Sequence, residues 1–188
     1  GGSMDYATHT EATASNVYFV STERGDDTWS GTAQAPFKTI QKGLDSAKSP
    51  GDCVYVYPGT YDERPALKAS GTAGKPIALI GLSHLGEITI DATHTENQVV
   101  LTAGYDYWVI SGFTLKNAAR FGFDASGSKN LVLRNLIAKD NTLDGFHVVG
   151  ADGSVFENLT AHHNGNDGFY LYNSPNCEIR NYLAYQNT

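Results

Sequence analysis

The 188-residue chain lacks any long hydrophobic run, and no stretch approaches the roughly 20 apolar residues that a membrane-spanning helix needs. Cysteine is scarce: only Cys53 and Cys177 occur, and they lie far apart in the sequence. Two thiols cannot staple a miniature disulfide fold, so both are read as buried free thiols on inward strand positions. Their number leaves the compartment open, since a secreted solenoid can fold without bridges. Positive charge is also short. Thirteen Lys and Arg stand against 20 Asp and Glu, for a net charge of -7 and a pI near 5.2. That balance argues against nucleic acid or an anionic membrane as partner. Amphipathic helical patterning is confined to one short stretch, which excludes an array of helical repeats.

What the sequence does have is a ruler. Gly122-Phe123, Gly145-Phe146 and Gly168-Phe169 follow one another at intervals of 23 residues. The same interval separates Asn135, Asn158 and Asn181, then Asn141, Asn164 and Asn187, and then Ile110, Leu133, Phe156 and Ile179. A fixed period of this length marks one supersecondary unit stacked on copies of itself. The units break into short apolar alternations, WVISGFTL, NLVLRNLIA, SVFENLTA and CEIRNYLA, punctuated by Gly, Asn, Asp and Ser. Leucine-rich repeats need a fixed leucine pattern that is missing here. Three short strands per turn, each pairing with its equivalent one unit on, predict an all-β right-handed parallel β-helix with rungs of about 23 residues. Leu133, Leu136, Ala138, Phe146 and Val148 are predicted to point inward, and Arg134, Lys139 and His147 outward. Asn135, Asn158 and Asn181 are predicted to form an asparagine ladder at a bend. Ser111, Arg134, Glu157 and Arg180 make an outward row with alternating charge, suited to pairing between rungs.

The chain divides into three parts. Residues 1–16 are read as a leader, with Gly1-Gly2-Ser3-Met4 having the look of a cloning remnant and the rest that of a polar linker. Residues 17–75 form an N-terminal cap with the first rungs. Residues 76–188 are expected to carry the regular rungs and to end without a cap, an arrangement that predicts end-to-end self-association through the open C-terminal rung. In the cap, Phe37, Ile40, Leu44 and Ala47 fall at helical spacing, Pro36 stands at the predicted helix start, and Pro50-Gly51 ends it. That helix covers the first rung.

The run YFVSTERGDDTWSGTAQAPFKTIQKGLDSAKSPGDCVYVYPGTYDE resembles the N-terminal cap of right-handed parallel β-helix proteins. In particular it is similar to the pectate-lyase-like proteins of polysaccharide lyase family 9, and with the repeats the resemblance covers residues 17–188. The resemblance implies calcium-assisted β-elimination on an acidic polysaccharide such as pectate, by a bacterial protein that is secreted or held at the cell surface. The alternative is a non-catalytic β-helix domain for carbohydrate binding or surface display.

Asp144 and Asp167 each precede Gly-Phe, one repeat apart. Stacked carboxylates repel unless a cation or a proton lies between them. Asn164 and Asn166 add oxygen atoms suited to a hard ion, so the predicted Ca²⁺ ligands are Asp144, Asp167, Asn164 and Asn166. The resemblance supports this, since family 9 lyases hold calcium through aspartates of such turns on successive rungs. Two family aspartates are replaced: Asn166 stands at one position and Tyr170 at the other. The family's base is a lysine on a later rung, expected beyond Thr188, so no residue here inherits that role. Within the chain, Lys139 and His162 are the candidate bases. Lys116, Lys139, His147 and Tyr170 are the predicted contacts to the acidic sugar. Lys116, Lys139, His162 and Tyr185 share one outward row, and His147 and Tyr170 share another with Asp124. The neighbours His162 and His163 are expected on opposite faces of a strand, which argues against a zinc site built from that pair.

Overall fold

A computed structural model of the protein describes residues 15–93 and 97–188. The expected leader lies outside the described residues except for its last two positions. There Ser15 donates its amide to the Gly51 carbonyl, and Asn16 is held by the buried Asp52 carboxylate at 3.0 and 3.1 Å.

The first strands are β1 (Val17–Val20), β2 (Cys53–Val56), β3 (Gly59–Tyr61), β4 (Ile77–Gly81) and β5 (Ile88–Asp91). The regular rungs supply β6 (Gln98–Leu101), β7 (Trp108–Lys116), β8 (Phe121–Asp124) and β9 (Val132–Lys139). They continue with β10 (Phe146–Val149), β11 (Val155–His162), β12 (Phe169–Tyr172) and β13 (Glu178–Tyr185). One parallel sheet runs β1-β2-β4-β7-β9-β11-β13, with β5 joining β7 and β3 joining β5; a second runs β6-β8-β10-β12. The result is a parallel β-solenoid of about 6 turns, with rungs about 23 residues apart.

Register follows the ruler. Leu133 pairs with Phe156, Leu136 with Leu159 and Phe146 with Phe169, each 23 residues on. Leu133, Leu136, Ala138, Phe146 and Val148 are all fully buried, as predicted. Each large side chain among them contributes about 1.5–3 kcal/mol by leaving water. Glycine is demanded where two rungs touch. A Cβ on Gly145 would lie 2.7 Å from the Gly168 carbonyl oxygen, and one on Gly122 would lie 2.6 Å from that of Gly145.

Three expectations change. The first concerns the strands of a rung: two of the three merge into one long strand, such as β9, bent where Asn135 adopts φ +52°. Asn158 and Asn181 do the same at +53° and +54°, a left-handed conformation that asparagine tolerates. Their side chains are exposed, and Asn158 reaches Asn135 only at 3.4 Å. The tight ladder is the other asparagine series. Buried Asn141 and Asn164 bond in file, Asn141 Nδ2 to Asn164 Oδ1 at 3.0 Å and Asn164 Nδ2 to Asn187 Oδ1 at 2.9 Å. Asn164 Nδ2 also donates to the Ala138 carbonyl at 3.0 Å, and its Oδ1 accepts the Asn141 backbone amide at 3.2 Å.

The second concerns the cap helix, α1, which spans Ile40–Ser46 rather than starting at Pro36. Phe37 is held in a parallel bridge to Val20, so the chain is still extended there. Thr39 is the N-cap and accepts from the Lys42 amide, while Glu63 reaches across to accept from the amides of Ile40 and Gln41 at 2.8 and 3.0 Å. Burial nonetheless raises the Glu63 pKa, outweighing those two hydrogen bonds. The third concerns Cys53. It is buried and forms no disulfide with Cys177, but Val54 and Val56 take the inward positions of β2 and Cys53 joins an outer cluster with Tyr55, Ala78 and Ile80. Cys177 is free and half-buried, and packs against the core. In the charged row, Arg134 pairs with Glu157 at 3.1 Å, whereas Arg180 turns to Glu178 of its own strand.

Two measurements follow. Asn164→Ala leaves several buried polar groups unpaired and is expected to cost about 3 kcal/mol or more; Asn158→Ala costs about 1 kcal/mol for its left-handed backbone. Comparing thermal midpoints checks the order, and equal losses would contradict it. For Glu63, a raised folded-state pKa means that the folded protein favours the protonated carboxyl. Its stabilising contribution is therefore present at low pH and is lost as pH rises through the ordinary carboxylate range and the folded value. The midpoint of wild type relative to Glu63→Gln should fall over that window, and a rising difference would overturn the assignment.

Candidate functional site

Between the end of β9 and the start of β10 the chain turns through residues 140–145, and the next rung repeats the turn at 163–168. Asn141 and Asn164 anchor the inside of both turns. What remains for chemistry is the outer side, where the two rungs differ.

Asp144 is 3% exposed and sits at the centre. Its Oδ2 lies 2.8 Å from Nδ1 of His147, and its Oδ1 accepts from Asn166 Nδ2 at 3.0 Å and from the Asp167 backbone amide at 3.1 Å. A buried carboxylate is costly unless it is hydrogen-bonded in this way. His147 is itself clamped. Its ring stacks on Phe121 with centroids 3.8 Å apart and on Tyr170 at 5.0 Å, both nearly parallel. The guanidinium of exposed Arg120 lies 4.7 Å from the Phe121 centroid and has no ion-pair partner among the described residues. Arg120, Phe121, His147 and Tyr170 thus form one column along the solenoid axis.

The predicted site residues fall into different roles. His147 and Tyr170 come together with Asp144, His147 covering one face of the exposed Tyr170 ring. Asp167 is exposed and Asn166 turns its amide toward Asp144. Burial, and after it the Asp167 charge, raises the pKa of the Tyr182 phenol beneath. Asn164 belongs to the buried ladder, where its carbonyl oxygen accepts from Asn141, so it is spent on the fold. A calcium shell is built of oxygen atoms, whereas the groups meeting Asp144 are N–H donors. As folded, these residues do not form a cage for the ion. Among the described residues no group of three His, Cys, Asp or Glu side chains has a geometry for a metal.

The second row stacks in register as predicted. Lys116 pairs with Lys139, Lys139 with His162 and His162 with Tyr185. Lys116 also lies 4.0 Å from Asp91, and the His162 ring stacks on Tyr185 at 4.8 Å. His162 and His163 meet after all, Nδ1 to Nδ1 at 2.6 Å. A left-handed His163, φ +56°, ends the strand alternation that would have separated them. Burial first, then His163 and Lys139, lowers the pKa of His162. A hollow lined by Asp140, Thr142, His163, Gly165 and Gln186 opens beside this row.

Sequence reasoning missed Arg120 and Phe121. The signal was present: Phe121 lies one period before Asp144, so it had to stand on the neighbouring rung at that turn. What the period could not say was that the ring beside it would be His147.

The stacked parallel strands define the class of protein, an all-β parallel β-solenoid. The chain belongs to the family described as "Pel9A-like, right handed beta helix region", whose profile matches residues 18–188. A curated relative, the uncharacterized protein YwoF of Bacillus subtilis (strain 168), is 29% identical over 68% of this chain and 28% of its own length. Pectate lyase Pel9A superposes with a TM-score of 0.63 at 21% identity, covering 93% of this chain and 55% of that one. A rhamnogalacturonan lyase gives 0.60 at 21% identity, covering 92% and 58%. The chain therefore spans little more than half of those lyases and less than a third of YwoF. A lacto-N-biosidase and a pectin methylesterase share the coil at 19% and 14% identity, so the likeness shows the fold and leaves the chemistry to the side chains.

Asp144→Ala strands the His147, Asn166 and Asp167 donors and should cost about 2–3 kcal/mol, whereas exposed Asp167→Ala should stay within about 0.5 kcal/mol. Denaturant melts of both variants check this; equal losses would place Asp144 on the surface instead.

Proposed function

We propose that this chain is the β-helix of a secreted or cell-surface protein that acts on an acidic polysaccharide of the pectate kind, by β-elimination. Family membership and the likeness to two pectin-type lyases support the substrate class. The observation that carries the location is the Arg120–Phe121–His147–Tyr170 column over buried Asp144, an outward surface headed by a guanidinium that has no ion-pair partner among the described residues. In such a reaction a base removes the proton at C5 of a uronate, the electron pair forms a C4–C5 double bond, and the C4–O bond breaks. Lys139 and His162 are the basic side chains of the neighbouring row; a lowered pKa keeps the His162 imidazole neutral, and so able to accept a proton, to lower pH. Lys116 and Lys139 add positive charge for a polyuronate. Calcium, where a lyase of this type uses it, neutralises the sugar carboxylate.

A second reading is a carbohydrate-binding domain without catalysis. It is favoured by one observation: Asn166 and Tyr170 occupy positions where the resembling lyases carry aspartate, and Asn166 is turned to donate to Asp144. Incubation with polygalacturonate, with and without calcium, separates the two. Ultraviolet absorbance from the unsaturated product is expected if the chain is a lyase. Binding without product would leave the second reading, and neither binding nor product would remove both.

A further inference from the structure

A carboxylate that holds a cation must offer it free lone pairs. Asp144 has little to offer, because three of its roughly four lone-pair sites are filled. His147 occupies Oδ2, while Asn166 and the Asp167 amide occupy Oδ1, and the whole group is 3% exposed. His147 cannot swing away cheaply, because Phe121 and Tyr170 hold both faces of its ring. Protein N–H groups thus take up most of this carboxylate, where a cation would otherwise have to bind. A positive group stands on the same column: Arg120 rests on Phe121 at its head, exposed and without a carboxylate partner among the described residues. A guanidinium fits a carboxylate with two parallel hydrogen bonds, which lets it do the neutralising that a metal would otherwise do.

We propose that this turn binds an acidic sugar residue without a metal ion: Arg120 takes the sugar carboxylate, and His147, fixed by Asp144, offers Nε2 to a sugar hydroxyl. The identity of the ligand rests on the acidic-glycan reading above; the independence from metal rests on the geometry of Asp144 alone. Of the three groups that close Asp144 to calcium, Asn166 is the one whose side chain a substitution can turn into a ligand, since its amide donates where a carboxylate would accept.

The full chain is titrated with oligogalacturonate by calorimetry, once in EDTA and once in millimolar calcium, and its thermal midpoint is followed in both buffers. Equal affinity in the two buffers and an unmoved midpoint are expected. Arg120→Ala should weaken binding about tenfold or more in both. Asn166→Asp exchanges a donor for a charge on the surface, and it should acquire a calcium-dependent rise in midpoint that wild type lacks. A wild-type midpoint that climbs with calcium and loses that climb in Asp167→Ala would overturn the proposal, as would affinity that needs calcium. So would an Asn166→Asp chain indifferent to calcium, because the Asn166 amide would then not be part of what closes the turn. No binding in either buffer removes the acidic ligand, and with it the reading above, while the midpoints still decide the question of metal.

Discussion

Parallel stacking at a spacing of about 4.8 Å puts residue i against residue i+23 in the regular rungs from β6 onward, and almost everything else there depends on that contact. A side chain is never alone on such a surface; it belongs to a column. Inward columns are apolar and close the core, as in Leu133 over Phe156 or Phe146 over Phe169. The axial contact also sets what is forbidden. Gly145 stays glycine because the backbone of the next rung fills the place of a Cβ. The asparagines of the ladder satisfy one another and the carbonyls of Ala138 and Ala161, so a sharp turn of the chain stays buried without orphaned polar groups.

The same rule governs the outward columns, where it produces chemistry. Aspartates on successive rungs face a repulsion that something must cancel. At Asp144 the cancelling groups are an imidazole and two N–H donors, and the aromatic stacking of His147 fixes that choice. The turn one rung on is built from the same Asp-Gly-Phe segment, yet Asp167 is exposed. Equal sequence, unequal burial: neighbours decide which carboxylate becomes the centre of a site.

The fold was legible because the period and the alternation agree, and periodicity survives without any knowledge of contacts. Inward residues came out correctly for the same reason. The site was legible only in part. Asp144, His147 and Tyr170 were all singled out, but as separate features, a metal ligand in one case and sugar contacts in the other two. Arg120 and Phe121 escaped because neither repeats; a column can be completed by residues of any kind, and only the occupied ones are visible as a pattern. The helix boundary was misplaced by a local rule. Pro36 favours a helix start, but the bridge from Phe37 to Val20 and the cap at Thr39 hold the chain extended for three residues more.

Sequence alone determined the 23-residue rung, the parallel stacking, the inward rows and the place of the cap, since each follows from spacing and side-chain type. Tertiary structure decided which of two asparagine series is the tight ladder, which face holds Cys53, and which atoms surround Asp144. Those outcomes turn on distances of a few ångströms between residues on different rungs. A repeat fixes which residues are neighbours, but the direction of a side chain and the hydrogen bonds it keeps are settled only when all the neighbours are in place. The interval that stacks Asp144 on Asp167 in the sequence is thus, in the folded protein, the interval that brings Asn166 and the Asp167 amide to Asp144.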